Sequence, residues 1–281
     1  MIRTTIAAAA LGLAAGGVAS AEDVAYEVDG TALEGYFAGA AEPKGLVIIV
    51  HDWDGTGDYE RRRADMLAEL GYDAFALDVY GAGNRPDTME GRMAAMKTAV
   101  SDPEKLRALV VGGIDKGREL SSADRSVLMG YCFGGAVALG AARAGAPEGV
   151  VGFATFHAGL PGGEADWPGE SPPVLILHGG ADQRPSLADV AAFAAGMEEA
   201  AVPYEIEVYS GAPHAFTVFG SDNYRERADR ESWAALQRFL GEAFRADRRR
   251  IRPQGRTGRK AVQRRSRRLR GGGRGLMPAG S

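Results

Sequence analysis

The run Gly130-Tyr131-Cys132-Phe133-Gly134-Gly135 constrains this chain more than any other segment. It follows an apolar stretch, Ser126-Val127-Leu128-Met129, and leads into the small-residue helical pattern Ala136-Val137-Ala138-Leu139. Read as G-x-nucleophile-x-G, it is a sharp strand-to-helix turn that exposes one reactive side chain at the edge of a sheet. Glycine is required on both sides, because the turn strains its central residue and a Cβ at Gly130 or Gly134 would crowd strand and helix. The central residue is the only cysteine of the 281 residues. Its place at a helix N-terminus predicts a thiol biased toward thiolate.

Around this turn the pattern alternates between strand and helix. Val24 to Val28, Asp29-Gly30 and Thr31 to Ala38 read as a hairpin with a tight turn. Leu46 to Val50 is a continuous aliphatic run of the kind buried on both faces of a parallel sheet. Strands are also expected at 74–79, 127–129, 150–156, 174–177 and 204–209. Helices are expected at 58–70, 89–100, 103–117, 187–199 and 230–239, with Asp102-Pro103 as a helix start. The fold class is therefore α/β, a mostly parallel sheet with helices on both faces and an N-terminal hairpin. In such a sheet, reactive groups gather beyond the carboxyl ends of the strands. That selects His51 and Asp52, Asp78 and Tyr80, Cys132, His157, His178 and Asp182, and His214.

Both ends look foreign to this domain. Residues 1–21 carry one early charge, Arg3, an apolar stretch from Ile6 to Val18, and Ala19-Ser20-Ala21 before Glu22. That reads as a secretory leader cleaved near Ala21, too short and glycine-rich for a stable membrane span. The expected location is the periplasm or the medium. Residues 245–281 hold 14 Lys or Arg and one acid. Of the 33 basic and 37 acidic residues, residues 1–244 thus keep 19 and 36, a charge of −17. The basic segment reads as a disordered tail. Polyanion binding through it is an alternative, although no nucleic-acid fold motif accompanies the arginines. The domain itself is long enough for one α/β core, and is expected to be a monomer.

A cysteine nucleophile needs a base, and the base needs a carboxylate to orient it. Cys132, Asp182 and His214 follow the order nucleophile, acid, histidine of α/β hydrolases. Asp182 alternatively reads as a turn or helix-capping aspartate, and His157 is the rival base. His51 and His178 read as strand-end residues with hydrogen-bonding roles. An exposed thiol without a resolving cysteine leaves open a non-hydrolytic binder or thiol-redox protein on the same fold. No metal or other cofactor is expected: the histidines are scattered, and Gly271-Gly272-Gly273 follows no strand.

Taken together, Gly-Tyr-Cys-Phe-Gly-Gly, His-Asp-Trp-Asp-Gly at His51, Asp-Val-Tyr-Gly at Asp78 and Gly-Ala-Pro-His-Ala-Phe at Gly211 resemble the dienelactone hydrolase family of α/β hydrolases, over roughly Val24 to Leu240. The resemblance implies hydrolysis of small esters or lactones through an acyl-thioenzyme, with Cys132, Asp182 and His214 as the triad. It implies backbone oxyanion donors at Trp53 and Phe133. It also implies a carboxylate that interacts with the resting thiol, here Asp52 where the family has glutamate. Ala82 and Val218 stand where family members carry arginines that clamp a substrate carboxylate, with Arg85 as a nearby substitute, so a neutral or less anionic ester is expected. Trp53, Tyr80 and Phe216 read either as an aromatic pocket wall or as core packing.

Overall fold

The computed structural model describes residues 18–162 and 167–251. Its centre is an eight-stranded sheet in the order β1-β2-β4-β3-β5-β6-β7-β8. The antiparallel hairpin β1 (Val18–Val28) and β2 (Thr31–Ala40) pairs along one edge, β2 antiparallel to β4 (Asp73–Leu77). From β4 onward every pairing is parallel, through β3 (Leu46–Val50), β5 (Ser126–Tyr131), β6 (Val150–Phe156), β7 (Val174–Gly179) and β8 (Tyr204–Tyr209).

The period of two along a strand sorts side chains between two cores. Leu46, Ile48 and Val50 of β3 face one side. There they pack with Leu109, Val110 and Ile114 of α3 (Pro103–Leu120), Val137 and Leu139 of α4 (Phe133–Arg143), and Val190 of α5 (Leu187–Glu199). Val47 and Ile49 face the other side, against Ala64, Leu67 and Ala68 of α1 (Asp58–Glu69) and Leu236, Phe239 and Leu240 of α6 (Glu226–Ile251). The β3 run is wholly buried because helices cover both faces, as its lack of polar alternation predicts.

The helix starts follow local chemistry. The Asp102 carboxylate accepts the Lys105 N–H at 3.0 Å, and Pro103 occupies the first turn of α3, where no donor is needed. Ser186 and Asp189 cap α5 reciprocally. The helix α2 (Met89–Ser101) differs: none of its side chains is buried, and Met89, Met93 and Val100 are exposed.

Two elements overrun their expected bounds by more than three residues. β1 begins at Val18, inside the segment read as a leader, although Val18–Asp23 are exposed. α6 starts earlier than expected and runs past Phe244 to Ile251, because Ala235, Leu236, Phe239, Leu240, Ala243 and Phe244 repeat at helical spacing against the core. The rest of the basic segment, and most of the leader, fall outside the described residues. Among the described residues no helix is long and apolar enough to cross a membrane.

Candidate active site

The site is assembled at the carboxyl ends of β3, β5, β7 and β8. Cys132 sits between β5 and α4 with φ 48°, a conformation costly for a residue with a Cβ. The surrounding glycines make that turn possible. A Cβ on Gly130 would run into the Gly134 carbonyl, and one on Gly134 into the Val50 carbonyl.

Beyond β8, His214 turns its Nδ1 toward Asp182 Oδ2 at 2.7 Å. Asp182 is buried after β7, and its other oxygen accepts the Arg184 N–H at 2.8 Å. Burial opposes its charge, but these two bonds prevail and hold its pKa below the ordinary carboxylate value. Burial likewise opposes a charge on His214. The bond to Asp182, its charge and that of Asp52 prevail, so the imidazole pKa is raised above its usual value. Asp182 is therefore the partner of a histidine, as well as an Asx-type brace of its own loop.

The thiol does not behave as the helix N-terminus alone predicts. Burial, then the charge and hydrogen bonding of Asp52, push its pKa well above the ordinary cysteine value. The Phe133 N–H, which favours the thiolate, is outweighed. The resting group is a neutral thiol facing Asp52. Asp52 is itself buried, and its pKa is pushed up to about 6, chiefly by desolvation.

The two amides expected to receive an oxyanion are both engaged at rest. The Trp53 N–H donates to Asp52 Oδ1 at 2.6 Å, and the Phe133 N–H to the Cys132 sulfur. The loop that carries Asp52 and Trp53 is fastened by a residue that sequence reading passed over. Glu60, fully buried in the first turn of α1, accepts the Asp52 N–H on Oε1 at 3.2 Å and the Gly57 N–H on Oε2 at 2.8 Å. Burial raises its pKa to about 8.

The remaining expected site residues divide. Tyr80 is only half-buried. Its ring lies against His51 and Phe133, beside the turn, and it lines a cavity of about 390 Å³ between α2 and α3 that Cys132 does not line. Arg85 is not a free cation at the site. Its guanidinium donates to the carbonyls of Thr56 (2.5 Å), Glu34 (3.0 Å) and Asn84 (3.3 Å), stapling the loop after β3 to β2. Phe216 is fully buried against Tyr209 and His157 and belongs to the core. The arginine at this mouth is Arg92 of α2, which lies over the Trp53 ring at 5.7 Å and within 3.7 Å of Asp54 Oδ2. His51 is a strand-end residue as expected, its Nδ1 on the Asp52 carbonyl and its Nε2 accepting the Val79 N–H. His178 is buried, but its Nε2 has no hydrogen-bond partner.

Comparison with known proteins bears on this arrangement. The model of the "Dienelactone hydrolase family" matches residues 33–244. The chain belongs to the dienelactone hydrolase family. Among its relatives is a Bradyrhizobium protein described as "Probable 2-oxo-3-(5-oxofuran-2-ylidene)propanoate lactonase", 27% identical over 197 residues, covering 66% of this chain and 79% of that protein. Among solved structures, one described as "m3DLH" is 28% identical with a TM-score of 0.73, covering 80% of this chain and 98% of the other. A dienelactone hydrolase-like promiscuous phosphotriesterase, P91, from metagenomic libraries is 25% identical with a TM-score of 0.71, covering 81% and 99%. This dienelactone hydrolase family member thus shares the α/β fold with its structural neighbours. It is a hydrolase of the ester and lactone type.

Proposed function

We propose that the protein is an exported cysteine hydrolase of small esters or lactones. The observation that carries this reading is the half-buried 2.7 Å bond between His214 and Asp182, at the sheet edge where the strained Cys132 turn ends. His214 takes the thiol proton through Nε2, since Nδ1 is committed to Asp182. The sulfur attacks the carbonyl carbon, and the developing oxyanion takes up the N–H groups of Trp53 and Phe133. Each such donor is typically worth about 3–4 kcal/mol in the transition state. Asp52 must leave the Trp53 amide for this to happen, so substrate arrival and release of the thiol are one event. The imidazolium protonates the leaving oxygen, giving a thioester. His214 then draws a proton from water, which attacks the thioester and regenerates the thiol.

A thiol held protonated by burial and Asp52 argues against the thiol-redox alternative, which needs a standing thiolate. Export rests on the leader-like residues 1–21, and the hairpin is compatible with it. Cleavage after Ala21 leaves Glu22–Val28 of β1 still paired with Thr31–Phe37 of β2.

The test is turnover of activated aryl esters, neutral and carboxylated lactones, and a phosphotriester, the last because of the P91 neighbour. Cys132→Ala abolishes turnover, and iodoacetamide blocks it by labelling one site. Unchanged hydrolysis in Cys132→Ala overturns the mechanism. Peroxide consumption without ester turnover transfers the assignment to a redox protein.

A further inference from the structure

His157, at the carboxyl end of β6, has no part in the reaction above. It is fully buried, and its ring meets that of His214 edge-on with centroids 5.3 Å apart. Its Nε2 lies 2.8 Å from Thr217 Oγ1, a hydroxyl on the same loop as His214. Thr217 Oγ1 lies 2.6 Å from Tyr59 Oη, and Tyr59 Oη receives the Arg63 Nε–H at 3.3 Å. Arg63 is itself fully buried. It is ion-paired to Asp229, bonded to the Thr217 carbonyl at 2.9 Å, and set over the rings of Phe219 and Trp233.

The polarity of this chain follows from its far end. A guanidinium only donates. Tyr59 Oη accepts from it and passes its own proton to Thr217 Oγ1, whose proton goes to His157 Nε2. The neutral ring then carries its hydrogen on Nδ1. In the opposite polarity the Tyr59 proton is left to the neighbouring Tyr131 Oη, while His157 Nδ1 has no strong hydrogen-bond partner in either polarity. The polar group that His157 Nδ1 approaches is the residue's own backbone carbonyl, an acceptor, which favours the hydrogen on Nδ1. Burial, and then the neighbouring charge on His214, keep the His157 ring neutral.

We propose that His157 is a positioning residue for His214. The Arg63-Tyr59-Thr217 chain holds it as an uncharged Nδ1–H imidazole, whose edge contact and whose bond to Thr217 fix the His214 ring and its loop. The proposal rests on the reading of His214 as the base. It concerns geometry, so its loss acts on kcat rather than on substrate capture.

Three variants separate this role from mere packing. His157→Phe fills the space but accepts nothing, Thr217→Val cuts the chain, and His157→Gln restores an acceptor for the Thr217 hydroxyl. Aryl-ester turnover is expected to fall on the order of 10- to 100-fold in kcat for the first two, with KM little changed, and to recover in His157→Gln. Wild-type kcat in folded His157→Phe and Thr217→Val, beside a dead His214→Ala, overturns the positioning role alone. An active His214→Ala overturns the base assignment instead. Independently of any variant, imidazole ¹⁵N NMR of the wild-type chain is expected to show His157 as the Nδ1–H tautomer, and an Nε2–H tautomer refutes the chain's polarity.

Discussion

At the scale of single residues, the site is governed by how burial and partners divide the titrations. As the proposed base, His214 acts only when neutral, so kcat/KM is expected to rise with pH through its raised pKa. Asp182→Asn removes both the bond and the charge that raise it. Desolvation is then unopposed by Asp182, and the midpoint of the pH–rate profile moves down while kcat falls by roughly two to four orders of magnitude. An unmoved midpoint in steady-state profiles contradicts the coupling. Glu60 makes a second prediction, about stability. Its folded pKa of about 8 lies above the ordinary glutamate value, so the folded protein keeps a proton that the unfolded chain has released. Stability therefore falls as pH rises from the ordinary glutamate range toward about 8. Glu60→Gln removes this slope, and thermal melts of both proteins across that range check it. The strained turn at Cys132 and the pairing of Asp182 with His214 were legible, because their order and glycine-rich surroundings carry the information. Glu60 was not legible. It reaches back to Gly57, which has no side chain to complete a capping signature. The charge state of Cys132 was misread, because a helix N-terminus is visible in sequence and a buried facing carboxylate is not.

At the scale of elements, strand positions were read well, because continuous aliphatic runs and alternation survive folding unchanged. β6 and β8 match the expected spans, as does α5. α6 was cut short in the reading, since its last turns trade apolar residues for arginine, a good helix former that sequence composition makes look like a tail. The lack of buried side chains in α2 was also hidden, because nothing in the sequence of the helix announces that its apolar Met89, Met93 and Val100 stand exposed. The cap of α3 makes a third prediction. Asp102→Ala leaves the Lys105 N–H without its acceptor and costs about 1 kcal/mol, read by urea melts, with esterase activity preserved. A loss of activity without a loss of stability would instead tie α3 to the chemistry.

At the scale of the whole molecule, the sheet joins groups that the sequence keeps far apart. The contact between His157 and His214 exists only because the loops after β6 and β8 converge over β7, and no local pattern announces it. The fourth prediction concerns the hairpin. A chain beginning at Glu22 melts within a few degrees of one beginning at Val18, because Val18–Ala21 are themselves exposed and contribute only the end of the pairing with Ala38–Ala40 of β2. β1 is also the outermost strand of the sheet, and its first four residues, Val18-Ala19-Ser20-Ala21, are uncharged. An uncharged outer strand is a template on which another chain can zip. Trimming those residues leaves Glu22 and Asp23 at the start of that rim. A chain that keeps Val18–Ala21 is therefore expected to self-associate in light scattering at concentrations where one beginning at Glu22 stays dispersed, so that two acids at the rim act as a guard against clumping.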